Sequence, residues 1–309
     1  MSGQVSLPGS HGPLAAVAPM DVRVAMTHAS LQILAQDAGV PVLHLKGPAI
    51  DADLRSPRRA SADADVLVPP HEVVPFTNAL ERRGWRFLDT FESGSPFGHS
   101  RTARHPVWGL ADIHRHIPGT GNAGHTFTKF VEAAQLRRLS GVPMLILGRT
   151  DQALMIILHA ARSGQVATDR SRAAQDIRAA WSALRASERE AVQRRASEIG
   201  AHLPLNLALR EDVSAFADRP DYDLWQVSAY GGTRTEEWMA RVKAAPSAAA
   251  RARVLARMAM VNRPHLESEL GRPATTIDVL TEFRRRAWTG VRELTLRARQ
   301  RSQRHGPRA

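Results

Sequence analysis

Apolar residues recur at helical spacing from Asp21 onward, where Val22, Val24, Ala25, Leu31, Leu34 and Ala35 form a stripe that ends at Gly39. The run Val40-Pro41-Val42-Leu43-His44-Leu45 then reads as a strand. Lys46-Gly47-Pro48 breaks it with a tight turn, and Ala49–Leu54 begins a helix. A Pro/Arg loop follows over 55–60. Ala62–Val68 alternates as a strand does and is stopped by Pro69-Pro70. His71–Arg83 reads as a helix ending at Gly84, and Trp85–Leu88 as an extended piece. Residues 92–106, rich in Gly, Ser and His, read as a mobile loop or a loose hairpin. Val107–Ile117 reads as a strand. Residues 118–149 form a connector with a short helix over Phe127–Gln135 and a strand over Met144–Leu147.

After Asp151 the period changes to helical throughout. Asp151–Arg162, Ser171–Arg185, Glu188–Ile199, Leu203–Ala217, Glu236–Lys243, Ala248–Met260 and Thr276–Gln300 all carry it. The expected class is α+β: a small mixed sheet with flanking helices, followed by an all-α domain. The expected organisation is a disordered N-terminus over 1–19, the α/β domain over 20–149, the helical domain over 150–300 and a basic tail over 301–309. No internal repeat is present.

Composition narrows the classes. A chain of 309 residues with 43% hydrophobic and 23% charged residues should mostly fold. No apolar run approaches the ~18 residues of a membrane span, and the N-terminus lacks the cationic patch and apolar block of a secretory signal. Zero cysteines exclude disulfides, thiolate nucleophiles and Cys-ligated zinc, and fit a cytoplasmic location. The net charge of +12 is uneven: residues 284–309 hold nine Arg against one Glu, which leaves only +4 for the rest. A solvated helix end with a frayed tail accounts for this segment. Weak binding of nucleic acid or an acidic partner is the alternative.

The segment with the most chemistry is Arg59-Ala-Ser-Ala-Asp63-Ala-Asp65-Val-Leu-Val68. Acids at i and i+2 on a strand project from one face, and beside an apolar run their charge needs compensation. An oxygen-bound divalent cation such as Mg²⁺ provides it, together with substrate phosphates. Asp-x-Asp alone also occurs in solvated turns. Asp112, in the strand Leu110-Ala-Asp112-Ile-His114-Arg-His116, adds a third strand carboxylate. Lys46 and Gly47 place an ammonium and a backbone turn beside a helix start, a setting for phosphate, and Arg58 and Arg59 add guanidiniums. The histidines His99, His105, His114, His116 and His125 fit no compact zinc spacing. Trp181, Trp225, Trp238 and Trp288 fall at helical apolar positions and are read as core.

These residues carry a resemblance. Val42-Leu43-His44-Leu45-Lys46-Gly47, then Arg59-x-x-x-Asp63-x-Asp65-Val-Leu-Val68, then a helix ending in Gly84-Trp85, then Asp112-Ile-His114, resemble the uncharacterised family-5 nucleotidyltransferases of the DNA polymerase β-like superfamily. The likeness extends through Leu154–Ala161 with His159 and Ala174–Leu184 with Asp176, covering roughly residues 20–190. Two features depart from the pattern. Leu54-Arg55-Ser56-Pro57 stands where a Tyr-Pro-like step is usual, and Lys46-Gly47-Pro48 replaces the superfamily's Gly-Ser turn. The resemblance implies Mg²⁺-dependent transfer of a nucleoside monophosphate from a triphosphate, ATP among them, to a hydroxyl of a small molecule, peptide or protein, with release of pyrophosphate. Asp63 and Asp65 would hold one Mg²⁺ and share a second with Asp112, Mn²⁺ being a substitute. Lys46, Gly47 and Arg59 would steady the triphosphate. His114 would be an outer partner of the metal ligands or an acceptor contact. His159 and Asp176 would line the acceptor cleft or tie their helices together. The competing classes are a non-catalytic nucleotide- or RNA-binding module on a degenerate fold and an Asp-x-Asp glycosyltransferase.

Overall fold

A computed structural model of the chain describes residues 18–56, 61–92, 97–259, 261, 266–267, 270, 272–285 and 288. Arg58, Arg59, most of the N-terminal 1–19 segment and the basic tail lie outside the described residues.

Helix α1 (Met20–Ala38) follows the predicted stripe, burying Val24, Leu31, Leu34 and Ala35. It ends where Gly39 turns left-handed at φ 67° and its N–H reaches the carbonyls of Ala35 and Gln36. The sheet has seven strands: β1 (Leu43–His44), β2 (Asp63–Leu67), β3 (Arg86–Phe87), β4 (Ser100–His105), β5 (Gly109–His114), β6 (Gln135–Leu139) and β7 (Val142–Ile146). Their spatial order is β3-β4-β5-β2-β1-β7-β6. The pairs β2·β5 and β1·β7 are parallel and the other pairs antiparallel. The architecture is mixed α+β, as the sequence predicts.

Period-two alternation gives the two sheet faces different jobs. Ala64 and Val66 of β2, Ala111 and Ile113 of β5 and Ala103 of β4 point to one side. There they join α1 and α2 (Val73–Arg82) in a closed apolar cluster. Each large aliphatic side chain buried this way contributes about 1.5–3 kcal/mol. The opposite face carries Asp63, Asp65 and Asp112. On that side lie α4 (Arg149–Ala160), with α5 (Arg172–Ser182), α6 (Ala186–Glu198) and α7 (His202–Leu209) packed on it and α8 (Tyr222–Tyr230) on α7; their buried residues form one cluster with Leu43, Leu45 and Leu67. Helices α3 (Ala123–Glu132), α9 (Arg234–Ala244) and α10 (Ala248–Ala259) complete the labelled set. Among the described residues, no helix is long and apolar enough to cross a membrane.

Several expectations change. The helix read over Leu203–Ala217 stops at Leu209, with a 3₁₀ turn over Ser214–Phe216 beyond it, and α8 is additional. Of the two readings of 92–106, the hairpin holds for 100–105, which is a regular strand paired antiparallel with β5; that pairing supplies the order that composition does not. The connector gains β6, a half-exposed edge strand whose Gln-Leu-Arg-Arg-Leu pattern carries little apolar signal. The turn after β1 is not a helix start but two short 3₁₀ turns, Gly47–Ala49 and Ala52–Leu54. Trp225 is core and Trp181 and Trp238 are partly buried, but Trp288 is 73% exposed.

Candidate active site

The parallel pairing of β2 with β5 sets Asp65 directly beside Asp112 and Asp63 beside Leu110. Two carboxylates from sequence positions far apart thus share one row of the sheet, with Asp63 two residues along the same face. His114 pairs with Leu67 on that face and reaches back, its Nε2 donating to Asp65 Oδ1 at 2.8 Å. The Lys46 ammonium donates to the same oxygen at 2.6 Å. Asp65 is 1% exposed, and its second oxygen, Oδ2, is buried without a partner. Thr102, opposite Asp112 on β4, donates its hydroxyl to Asp112 Oδ1 at 2.8 Å. Ser61 donates to Asp63 Oδ1 at 3.2 Å.

The electrostatics separate the three acids. Burial alone would raise Asp65, but the Lys46 charge and the His114 hydrogen bond outweigh it and hold the carboxyl well below its usual range. Asp112 moves the other way. Burial, reinforced by the neighbouring Asp65 and Asp63 charges, pushes it up to about 6 against the pull of the Thr102 bond. Asp63 is also raised, by burial and then by Asp65. Burial lowers His114 despite its carboxylate partner. Carboxylates whose proton affinities are driven apart within one site are a recurring mark of acid–base chemistry.

The geometry suits a divalent cation. One ligand atom each from Asp65, Asp112 and His114 lies within 4.8 Å of the others. The orphaned Asp65 Oδ2 is a buried acceptor of the hard oxygen type that Mg²⁺ and Mn²⁺ take. Oδ1 is already committed to Lys46 and His114, so the carboxylate is fixed in orientation before any ion binds.

A cavity of about 230 Å³ opens over the acids. The sheet side contributes Lys46, Gly47, Ser61 and the three Asp; Met155, Ile156 and His159 of α4 and Asp176 of α5 form the opposite wall. Gly47 is bound to its place: at φ 59°, an added Cβ would sit 3.1 Å from Ser61 Cβ.

The sequence-derived residues Lys46, Gly47, Asp63, Asp65, Asp112, His159 and Asp176 therefore meet around one cavity, with His114 beneath Asp65. Lys46 bonds an acid within that cavity. His116 lies past the end of β5 with its ring 6.3 Å from His99, and burial followed by the Arg115 charge lowers it to about 4. His105 stacks near Trp108, and His125 sits on α3. Sequence reasoning missed Thr102, His99 and Arg162. Thr102 and His99 fall in the stretch read as a mobile loop or loose hairpin, and Arg162 is one residue beyond the capped end of α4. Only the β4·β5 register would have placed Thr102 opposite Asp112.

Residues 21–211 match the family described as uncharacterised nucleotidyltransferase. The chain belongs to this family. It is an enzyme of the nucleotidyltransferase class, a class that generally uses divalent metals. No curated protein matches the sequence. Among solved structures, the chain is similar to the antibiotic-resistance factor ANT(2'')-Ia in solution. That match has 17% identity, 57% of this chain and 91% of that one covered, and a TM-score of 0.41. The crystal structure of ANT(2")-Ia with adenylyl-2"-tobramycin gives 16% identity, 56% and 95% coverage and a TM-score of 0.40. The lincosamide antibiotic adenylyltransferase LnuA, bound to lincomycin, gives 13%, 52% and 97%, and 0.33.

Proposed function

We propose that this nucleotidyltransferase moves a nucleoside monophosphate from a nucleoside triphosphate to a hydroxyl acceptor, releasing pyrophosphate, with Mg²⁺ as the working cation. The observation that carries this reading is the side-by-side placement of Asp65 and Asp112 across two parallel strands, with Asp63 on the same face and a cavity above them.

Asp63, Asp65 and Asp112 are the residues that would hold two Mg²⁺ ions, which supply charge neutralisation at the phosphates and a more acidic acceptor hydroxyl. Lys46 and the backbone N–H of Gly47 border the cavity where the triphosphate would lie, and Arg59 joins them in the proposal. The acceptor oxygen attacks the α-phosphorus. The bond from that phosphorus to the bridging oxygen of the β-phosphate breaks, and pyrophosphate carries away its electron pair. Asp112 takes the hydroxyl proton. Its carboxylate is held in place by the Thr102 hydroxyl, so an oxygen is oriented to receive that proton. Positioning and charge compensation provide most of the rate in such transfers. His159 and Asp176, on the helical wall, are assigned to the acceptor side.

The test is incubation with each α-labelled nucleoside triphosphate, Mg²⁺ and a host lysate. Label moving to a discrete acceptor supports the proposal, and Asp65→Asn or Asp63→Asn should abolish pyrophosphate release while the fold persists. Turnover at the wild-type level in either variant refutes the assignment. A cytoplasmic location completes the proposal. Deletion of residues 300–309 should leave transfer nearly unchanged; a large loss would give the Arg-rich end a binding role, to nucleic acid or an acidic partner.

A further inference from the structure

Beneath the cavity runs a chain of nitrogen groups that joins the sheet to the helical wall. Asp65 Oδ1 accepts from His114 Nε2. The His114 ring lies 5.2 Å from that of His99, the residue preceding β4. His99 Nε2 is 2.7 Å from Arg162 Nη1, and Arg162 Nη2 is 3.1 Å from His159 Nδ1. Arg162 stands just past the end of α4, and among the described residues it makes no ion pair. Its Nε is buried without a partner.

That is an unusual setting for a guanidinium, which when shut from water is nearly always paired with a carboxylate. Burial lowers Arg162 to about 10, and the charges of Asp65 and Asp112 work through space to keep it protonated. The carbonyl end of α4 favours a cation at the same place. The consequence follows from donor counting. Arginine has five N–H donors and no acceptor, so both imidazole nitrogens that face it must accept. A neutral imidazole that accepts at one nitrogen carries its proton on the other. His99 is therefore protonated at Nδ1 and His159 at Nε2, and neither becomes an imidazolium while these bonds stand.

We propose that Arg162 is a positioning residue that fixes His159, on the cavity wall, as a neutral imidazole with its proton on Nε2, so that His159 serves transfer as a hydrogen-bond donor and not as the proton acceptor. The role in transfer rests on the proposed function; the tautomer does not. The two Nη groups join a histidine at the entry to β4 and one on α4, so the same fork ties the sheet edge of the site to the helical wall. Lysine, with one nitrogen, cannot hold both rings.

The test is long-range ¹H–¹⁵N spectroscopy of the full chain labelled with ¹⁵N-histidine at pH 7.5, with signals assigned through His159→Gln and His99→Asn. The expected wild-type pattern is a single tautomer for each ring, Nε2–H at His159 and Nδ1–H at His99. Arg162→Lys and Arg162→Gln should release His159 into tautomer exchange. A wild-type His159 that is charged, or protonated on Nδ1, overturns the proposal, as does an unchanged His159 pattern in both Arg162 variants. The wild-type spectrum remains decisive if those variants fail to fold. It needs no substrate, so correct tautomers with no label transfer to any acceptor would count against the function alone.

Discussion

Replacing Asp112 by Asn should stabilise the chelated protein while removing its activity. The folded environment raises this carboxyl from 3.8 to about 6, through burial and then through the Asp65 and Asp63 charges. Each tenfold change in proton affinity corresponds to about 1.4 kcal/mol, so ionised Asp112 costs the fold at most about 3 kcal/mol. Asp112 is only partly buried, and solvent screening reduces that to about 1–2 kcal/mol. Asparagine keeps the oxygen that accepts from Thr102 and loses the charge. The direction with pH is fixed by the raised pKa: the penalty is complete above pH 6 and fades as pH falls toward 4, where the folded-state carboxyl has been protonated. Thermal unfolding in EDTA at pH 7.5 should therefore place Asp112→Asn above wild type by roughly 2–8 °C, and the gap should shrink to about a third of that at pH 4.5. Nucleotidyl transfer should drop about 10²–10⁴-fold with loss of the proton acceptor. A variant less stable than wild type at pH 7.5 in EDTA, or one with undiminished transfer, would refute this reasoning.

The Lys46–Asp65 bond is charge-assisted and largely enclosed. Lys46→Met should cost about 1–3 kcal/mol in chemical denaturation and weaken nucleotide binding measured by calorimetry; unchanged values in both would remove Lys46 from the site. Gly119→Ala should destabilise by about 2 kcal/mol or more, because φ is 87° and the added Cβ would lie 2.5 Å from Pro204 Cγ and 2.7 Å from Trp225 Cζ2. A melting temperature equal to wild type would contradict that packing. His28 and His44 are buried with their Nδ1 atoms 2.7 Å apart. Burial lowers His28 to about 4 and, with the His28 charge added, lowers His44 well below its usual 6.5. Stability from this pair is full above pH 6.5 and should be lost progressively as pH falls toward 4, a slope that the double variant His28→Leu/His44→Leu should flatten in acid titration.

The parts of the site legible in the sequence were those set by local pattern. Asp63 and Asp65 sit two apart in a strand bounded by Pro69-Pro70, so their shared face followed from alternation. Asp112 was readable as a strand acid with apolar neighbours on both sides. What the sequence withheld is register. Nothing local states that Asp112 rather than Leu110 lies beside Asp65, or that Thr102 stands opposite; both depend on pairings between distant segments. The strand at 100–105 was hidden for the same reason, since Ser, Arg, Thr and His become ordered there through backbone bonds to β5. Helix α8 was missed because Tyr222–Tyr230 follows a Pro- and Asp-rich turn and mixes aromatic with polar residues without a clean stripe. Arg162 reads only as the last residue of a helical segment, and the fold alone sets its guanidinium between His99, before β4, and His159 of α4.

The claim on which the functional reading rests is that Asp65 and Asp112 together hold a divalent cation. Titration of the purified protein with Mn²⁺, following free ion by electron paramagnetic resonance, with and without a non-hydrolysable nucleoside triphosphate, addresses it directly. Wild type should bind, more tightly with nucleotide present, and Asp65→Asn and Asp112→Asn should each lose that binding. Equal Mn²⁺ affinity in wild type and both variants would contradict it.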